Sequence, residues 1–292
     1  MGEHLLASGH TACPGCGQAI AARLIVDTAG PRTIITNNTG CLEVFTTYYP
    51  TSAWRIPWIH SLFENAAAVA SGIEEALKYL GKEDINVIAQ AGDGGTADIG
   101  MGALSGMLER GHNILYVCYD NEAYMNTGIQ RSGLTPYDAV TTTSPSGTLS
   151  FGNPRPKKNM PEIAVAHGAV YVATASVGYP QDLVRKVKKA LSMKGPKYLH
   201  VFCPCPLGWR HPGNLTIEVG KKVVETGLFP LLEWEYGKLV RVRKIKPLPV
   251  EEYLKLQGRF KHLFTMPGGE EEIKRIQAIA NANIEKYGLK AE

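Results

Sequence analysis

Strand and helix signals alternate from about residue 20 to residue 205, and this alternation constrains the fold more than any other feature of the chain. Short apolar runs rich in β-branched residues indicate strands, and the segments between them have the pattern of helices. Chains of this kind form βαβ units, so we predict an α/β fold with a mostly parallel sheet and helices on both faces. The predicted strands span residues 33–36, 86–91, 114–119, 171–175 and 198–202.

The helices predicted between these strands end at recognisable signals. They span residues 18–27, 62–80, 98–110, 161–167 and 181–193. Gly81, Gly111 and Gly195 directly follow or lie close to the ends of three of them, where glycine commonly terminates a helix. Residues 134–159 show no periodicity and are predicted to form a long connection of the kind that is often functional.

The pattern changes after Pro206. A short hairpin is predicted around residues 236–238, and residues 250–264 and 270–286 are predicted to be helical. This region carries no cluster of catalytic residue types. We therefore expect a main domain over residues 1–210 and a C-terminal extension over residues 211–292 that serves structure or subunit contacts.

Composition excludes several classes of protein. The net charge is only +4 and the chain lacks a basic footprint, so nucleic acid is not an expected partner. No apolar stretch approaches the roughly 20 residues of a membrane helix, and the N-terminus does not resemble a secretory signal. We therefore expect a cytoplasmic protein without membrane contact. Its six cysteines are then expected to be metal ligands or buried thiols rather than disulfides.

Glycines and a carboxylate stand where the second predicted strand ends. Gly92-Asp93-Gly94-Gly95 precedes the helix predicted from residue 98. Such a turn can bind an anion, because free backbone N–H groups and the positive end of a helix face one point, although an ordinary strand-to-helix turn has the same pattern. A carboxylate beside a phosphate indicates a bridging cation such as Mg²⁺. Asn121 follows the next strand, and neighbouring parallel strands end side by side, so it can reach the same metal as Asp93.

Cysteines form a second constellation. A Cys-x-x-Cys turn, Cys13-Pro14-Gly15-Cys16, is followed by Cys41 and, much later, by Cys203-Pro204-Cys205. Four thiolates can hold Zn²⁺ or a [4Fe–4S] cluster, and the spacing alone leaves both open, together with a redox dithiol or simple buried thiols. Cys118 lies inside an apolar strand and is predicted to be a core residue.

Together, the two constellations resemble the 2-oxoacid:ferredoxin oxidoreductases, in particular their β subunit and most closely the pyruvate synthase type. The distance from Gly94 to Asn121 is that of the thiamine diphosphate motif, in which Asp, Asn and a nearby carbonyl bind Mg²⁺. Two departures are Glu122, where that motif usually has a second Asn, and Gln18, where pyruvate enzymes often carry Glu. The resemblance covers about residues 8–210. Its segments are GHTACPGCG (9–17), TGC (39–41), SLFEN (61–65), GDG (92–94), DNEAYMNTG (120–128), TTTSP (141–145) and PC (204–205).

The resemblance implies a role for each matching residue. The [4Fe–4S] ligands fall on Cys13, Cys16, Cys41 and Cys205, with Cys203 as the alternative fourth ligand. The Mg²⁺ ligands fall on Asp93, Asn121 and the carbonyl of Ala123. Asn126 matches a residue near the thiazolium and the oxoacid, although it could simply form a turn, and Glu64 either lines the cofactor pocket as a catalytic residue or favours a helix start. The remaining cofactor-binding residues are Gln18, Cys41, Gly92, Gly94 and Gly95.

The resemblance also implies an activity. It is the oxidative decarboxylation of a 2-oxoacid, pyruvate in the first instance, with coenzyme A accepting the acyl group and a [4Fe–4S] cluster passing electrons to ferredoxin. The implied fold is the thiamine diphosphate-binding fold, and the implied partners are a pyrimidine-binding α subunit, a γ subunit and a ferredoxin-like δ subunit. Alternatives are a branched-chain (2-oxoisovalerate) enzyme, a non-redox thiamine decarboxylase or synthase half-subunit with structural zinc, and a zinc-bearing binding module.

Overall fold

One eight-stranded sheet forms the centre of the molecule, for which a computed structural model describes residues 4–291. The strands are β1 (Thr33–Asn37), β2 (Trp58–His60), β3 (Asn86–Gly92), β4 (Ile114–Asp120), β5 (Tyr171–Ser176), β6 (Lys197–Phe202), β7 (Leu232–Glu235) and β8 (Lys238–Val242). Their order across the sheet is β2-β1-β3-β4-β6-β5-β7-β8. The first six run parallel, and β7 and β8 add an antiparallel hairpin at one edge.

The five predicted strands and the predicted hairpin are confirmed. Central strands such as β4 are buried along their whole length, as expected for a parallel sheet covered on both faces. The strand β2 was not predicted, because it is only three residues long and lies half-exposed at the sheet edge, where no apolar run marks it.

Eleven α-helices are assigned within residues 4–291, together with two 3₁₀ segments (Gly213–Leu215 and Gly258–Phe264). The helices are α1 (Gly17–Ala29), α2 (Cys41–Thr46), α3 (Ala66–Tyr79), α4 (Asp93–Ala97), α5 (Met101–Glu109), α6 (Met160–Ala166), α7 (Pro180–Ser192), α8 (Pro206–Trp209), α9 (Thr216–Glu225), α10 (Glu251–Leu254) and α11 (Gly269–Lys286). The connection between β4 and α6 contains neither helix nor strand, as predicted.

Three predicted helices differ from the observed ones for local reasons. Helix α3 begins four residues late, because the Asn65 side chain accepts a hydrogen bond from the Leu62 N–H at 2.9 Å and holds a turn there. The helix predicted over residues 98–110 begins three residues late, at Met101, after a turn in which a Cβ at Gly100 would lie 2.0 Å from the Gly95 carbonyl oxygen. The helix predicted over residues 250–264 is divided before Gly258, whose N–H bonds the Arg210 carbonyl at 3.1 Å.

Helices cover both faces of the sheet, which confirms the predicted α/β architecture. Residues of α1 and α7 pack on one face, and residues of α3, α5, α6, α9 and α11 pack on the other. Buried side chains after residue 210, among them Val219, Trp234, Phe260 and Ile276, belong to the second of these apolar clusters. The C-terminal extension therefore supplies part of the cover of the sheet, while its role in subunit contacts stays a prediction.

No helix within residues 4–291 is both long and apolar enough to cross a lipid bilayer.

Candidate functional site

The carboxyl ends of β3 and β4 bring the predicted metal ligands together. The two strands are parallel neighbours, with Gly92 opposite Tyr119. Asp93 begins α4 immediately after β3, and Asn121 follows β4 directly. Neighbouring strand ends meet at the same edge of the sheet, and this is where open α/β sheets bind ligands.

Three oxygen-bearing groups converge at this edge. The Asn121 side-chain amide lies 2.8 Å from the carbonyl oxygen of Ala123 and 3.0 Å from Asp93 Oδ1. In one of its two orientations the amide donates through its nitrogen to both of these oxygens. With a cation the amide can present its own oxygen instead, so carboxylate, carbonyl and amide oxygens offer the donor set that Mg²⁺ prefers.

The environment of Asp93 also suits a cation. The side chain is buried, and one of its oxygens accepts a hydrogen bond from the Ser132 hydroxyl. Burial and the nearby carboxylate of Asp120 raise the pKa of Asp93 well above its usual range. A bound divalent cation reverses that penalty, because it favours the ionised carboxylate.

The glycines of the motif allow close packing. A Cβ at Gly94 would lie 2.1 Å from the Tyr124 ring, and a Cβ at Gly95 would lie 2.7 Å from the Asn38 amide nitrogen. Tyr124 is itself fixed, because its hydroxyl donates to Asp98 at 2.7 Å. Any larger residue at position 94 would therefore push a side chain of the cavity wall out of place.

A cavity of about 210 Å³ opens beside these groups. Its lining includes nine predicted site residues: Gln18, Cys41, Gly92, Asp93, Gly94, Gly95, Asn121, Ala123 and Asn126. Glu64 is not among the lining residues. It lies partly buried ahead of α3, and its carbonyl packs near Gly100.

The structure adds lining residues that the sequence did not suggest. Asn37 ends β1 and Asn38 follows it, and Phe63 and Tyr124 form another part of the wall. The two asparagines could have been found as Asn121 was, because ligands bind at the carboxyl ends of parallel strands and β1 ends at Asn37. The side-chain oxygens of Asn37 and Gln18 are buried without a hydrogen-bond partner in the described part of the chain. They give the cavity two acceptors for a polar ligand.

The four candidate thiols come from three turns, of which the first carries both Cys13 and Cys16. Cys16 directly precedes α1, Cys41 begins α2, Cys205 directly precedes α8, and Cys13 lies on an exposed turn. A hydrogen bond of 3.1 Å from the Gly17 N–H to the Pro204 carbonyl joins the first turn to the last.

The packing of the first turn depends on glycine. Gly15 has a φ of +77°, and a Cβ there would lie 2.3 Å from the carbonyl oxygen of Gly213. The Thr216 hydroxyl donates to the Gly15 carbonyl at 2.6 Å. Residues after position 210 thus hold the Cys-x-x-Cys turn in place.

The thiols act on one another electrostatically. Burial raises the pKa of Cys41 to about 12, and Cys205, Cys16 and Cys13 add to the shift. Burial also raises the pKa of Cys205 to about 11, with Cys16 and Cys13 again contributing. Cys203 is fully buried and donates to the Val201 carbonyl at 3.3 Å, so it points into the core.

The spacing of the sulfur atoms is wider than a zinc site requires. Zn–S bonds of about 2.3 Å in a tetrahedron place sulfurs roughly 3.8 Å apart. Within residues 4–291, no three cysteine sulfurs lie within 4.8 Å of one another. The thiols would therefore have to move closer together to ligate a single metal ion.

Comparison with known proteins agrees with this geometry. Residues 15–201 match the family model described as the thiamine pyrophosphate enzyme, C-terminal TPP binding domain. The chain is 61% identical to pyruvate synthase subunit PorB of Methanosarcina barkeri, over 97% of each chain. It is 56% identical to the subunit of the same name from Methanocaldococcus jannaschii, over 98% of this chain and 97% of that one.

The chain belongs to the 2-oxoacid:ferredoxin oxidoreductase family, as a β subunit. It is therefore part of an oxidoreductase that works with partner subunits, and its matched domain binds thiamine diphosphate. A further relative is ketoisovalerate oxidoreductase subunit VorB of Pyrococcus abyssi, 50% identical over 88% of this chain and 85% of that one.

The fold is shared with a solved structure. A 2-oxoglutarate:ferredoxin oxidoreductase from Magnetococcus marinus, solved with 2-oxoglutarate, coenzyme A and succinyl-CoA bound, matches with a TM-score of 0.60. The match covers 75% of this chain and 79% of that one at 24% identity. The predicted thiamine diphosphate-binding fold is confirmed.

Proposed function

We propose that the chain is the diphosphate-binding and cluster-bearing subunit of a pyruvate:ferredoxin oxidoreductase that forms acetyl-CoA and CO₂. One observation carries the proposal. Asp93, Asn121 and Ala123 converge on the same cavity that Cys41 lines, so a thiamine diphosphate site and a four-cysteine site adjoin. Electron transfer from thiamine diphosphate to a cluster requires that the two sites lie close together.

The residues that follow the carboxyl ends of the strands have defined roles in this proposal. Asp93, Asn121 and the Ala123 carbonyl would hold the Mg²⁺ that binds the cofactor diphosphate. Gln18 and Asn37 would hold polar groups of the cofactor with their unpartnered oxygens. Thiamine diphosphate, when bound, supplies an electron sink for decarboxylation of the 2-oxoacid. Asn126 would contact the reacting end, while Glu64 would act only if a partner subunit or the cofactor moves it toward the cavity.

The cysteines supply the second half of the proposal. Cys13, Cys16, Cys41 and Cys205 would ligate a [4Fe–4S] cluster, and Cys203 would remain a core thiol. Membership of a family of ferredoxin-linked oxidoreductases supports this choice over zinc. The Gly208 N–H lies 3.3 Å from Cys205 Sγ, and such hydrogen bonds tune the potential of a cluster. The proposed location is the cytoplasm, as predicted from the sequence, because thiols stay reduced there.

Partner subunits complete the site in this proposal. The family supplies the carboxylate for the aminopyrimidine from another chain, so we expect the isolated chain to be inactive. The proposed partners are a pyrimidine-binding α subunit, a γ subunit, a ferredoxin-like δ subunit and ferredoxin, with coenzyme A as co-substrate. Nucleic acid and membranes are not expected partners.

A second candidate substrate is 2-oxoisovalerate. The observation that favours it is the 50% identity to the ketoisovalerate subunit from Pyrococcus abyssi, which is close to the 51% and 50% found for two pyruvate synthase subunits from other Pyrococcus species. A methylene changes discrimination by only about 1–3 kcal/mol. The two substrates are therefore tested side by side.

The experiment is anaerobic purification of the complex through this chain, followed by iron, sulfide, zinc and thiamine analysis. We expect one thiamine diphosphate and, after subtraction of the content of a Cys41→Ala complex, about four iron and four sulfide per chain. Reduction of ferredoxin is then measured with coenzyme A and either pyruvate or 2-oxoisovalerate. Faster turnover of pyruvate supports the proposal, whereas zinc without iron would move the chain to the non-redox alternative.

A further inference from the structure

The residue between two proposed metal ligands has an unusual conformation. Glu122 lies between Asn121 and Ala123 in the sequence and has a backbone φ of +67°. Residues other than glycine rarely adopt this value. Its N–H donates to Asp120 Oδ1 at 3.0 Å, and its carbonyl accepts from the Thr135 hydroxyl at 2.8 Å. The conformation of the metal-binding loop (residues 121–123) is thus held by contacts outside it.

The Glu122 side chain points away from the cavity into a buried group of charges. One oxygen accepts from Lys157 Nζ at 2.6 Å, and the other accepts from the Arg259 guanidinium at 2.5 Å. Lys157 also pairs with Asp120 at 2.6 Å. Lys157 is therefore shared between Glu122 and Asp120. Of these two carboxylates, Arg259 pairs with Glu122 only.

Arg259 comes from the C-terminal extension and is itself almost fully buried. Its Nε donates to the Gln257 side chain at 2.9 Å, and its guanidinium carbon lies 3.8 Å from the centroid of the Trp209 ring. Trp209 in turn donates through Nε1 to the Asn121 carbonyl at 2.8 Å. Arg259 therefore reaches the metal-binding loop by two routes, one through Glu122 and one through Trp209.

The same arrangement meets the segment of Cys205. Trp209 ends the short helix α8 that directly follows Cys205, and its backbone N–H bonds the Cys205 carbonyl at 2.9 Å. One guanidinium thus lies between the loop of the proposed metal site and the segment of the proposed fourth cluster ligand.

We propose that Arg259 is a positioning residue that holds the metal-binding loop in its ligand-binding form through Glu122 and Trp209. The inference rests on the proposed function, since it concerns Mg²⁺-dependent binding of thiamine diphosphate. It assigns to the C-terminal extension a task in cofactor binding, although the extension itself contributes no ligand to the metal. It also explains the departure at Glu122, whose carboxylate is required by a buried arginine rather than by the cofactor.

The test uses the complete complex with three variants of this chain. Arg259→Met keeps an unbranched stem against Trp209 and removes the charge, Arg259→Lys keeps the charge and loses the planar donor group, and Glu122→Gln keeps the shape and removes the ion pairs. The readout is the Mg²⁺ concentration at which half of the thiamine diphosphate is retained after gel filtration. Iron content and the unfolding temperature are measured in parallel.

We expect Arg259→Met and Glu122→Gln to raise the half-saturating Mg²⁺ concentration about tenfold or more, as is typical when a partner behind a metal ligand is lost. Arg259→Lys should recover part of that loss. The matched control is Arg185→Met, which removes an arginine paired with Glu233 at 2.6 Å in another part of the fold. It should leave the Mg²⁺ dependence unchanged.

Half-saturation within twofold of the wild type in both Arg259→Lys and Glu122→Gln would overturn the inference, even if Arg259→Met fails to assemble. An equal shift in Arg185→Met would also overturn it, because the effect would then be general destabilisation. A wild-type complex that shows no Mg²⁺-dependent cofactor binding would instead overturn the proposed function, and the inference with it.

Discussion

At the proposed metal-binding loop the Asn121 amide already lies within 3.0 Å of two other proposed ligand groups, whereas at the cysteines no three sulfurs of the described chain come within 4.8 Å of one another. The loop rests on buried ion pairs, and the cysteine turns rest mainly on backbone contacts such as the one between Gly17 and Pro204. The proposed metal site therefore depends on residues behind its ligands, while the cysteine site depends on the ligands themselves.

The largest expected effect is the loss of one thiol. Cys41→Ala should remove essentially all of the iron assigned to this chain, because a cluster bound through three cysteines is poorly held. Since Cys41 lies at the start of a short helix and is only partly buried, the fold should persist. Iron and sulfide analysis with circular dichroism of the complex provides the measurement.

The control for Cys41→Ala is Cys203→Ala. Cys203 donates to the Val201 carbonyl and is completely buried, so we expect full iron content and a loss of stability of about 1–2 kcal/mol. Loss of iron in Cys203→Ala with iron retained in Cys205→Ala would reverse the assignment of the fourth ligand.

The next effect concerns the metal loop. Asp93→Asn should weaken Mg²⁺-dependent retention of thiamine diphosphate by more than about 100-fold, beyond the range typical of residues behind a ligand. The iron content should not change, which would separate the two sites. Asp182→Asn is a matched control, because Asp182 pairs with Arg185 at 2.7 Å in α7 and is not among the lining residues of the cavity. Unchanged cofactor retention in Asp93→Asn at low Mg²⁺ would contradict a metal role for this carboxylate.

A smaller effect is expected from the cavity wall. Gly94→Ala would place a methyl group 2.1 Å from the Tyr124 ring, so the ring has to move. We expect thiamine diphosphate affinity to fall about tenfold, as overpacking of roughly 1–3 kcal/mol would produce. Gly102→Ala is the control, since open space surrounds that position in α5, and it should stabilise the protein by roughly 0.5–1 kcal/mol. Equal thiamine diphosphate affinities in the two variants would show that the Tyr124 ring moves aside without weakening cofactor binding.

The smallest expected effect is on the free energy of unfolding, and it should leave both proposed sites unaffected. Burial, with a further contribution from Glu272, raises the pKa of Asp138 to about 7, whereas the unfolded carboxyl titrates near about 3.9. The folded state therefore loses stability from this residue as the pH rises from about 4 to about 7. Asp138→Asn removes that cost, and asparagine tolerates the φ of +59° found there.

We expect Asp138→Asn to unfold a few degrees above the wild type at about pH 8, for a gain of about 1–2 kcal/mol, and at the same temperature near pH 4. Thermal unfolding of the complex at both pH values is the measurement. A gain that is equal at both would show that the carboxyl does not titrate in this window.

The parts predictable from the sequence are those set by local pattern. Buried strands such as β4 are continuous apolar runs, and Asp93 and Asn121 could be placed together because parallel strands end at one edge. The late start of α5 at Met101 could not be predicted, because the turn before it depends on the close approach of Gly100 to the Gly95 carbonyl. Arg259 was missed for a related reason: its partner Glu122 is distant in sequence, and no periodicity joins them.

The hydrogen bond between Gly17 and Pro204 also bears on the order of assembly during synthesis. The first turn leaves the ribosome early, yet its docking surface exists only after β6 and the segment beyond it have been made. The thiols of the first turn therefore remain apart from Cys205 while most of the sheet forms. A metal centre that joins these turns would close a long loop of chain, and it would restrict the unfolded ensemble much as a disulfide does in secreted proteins.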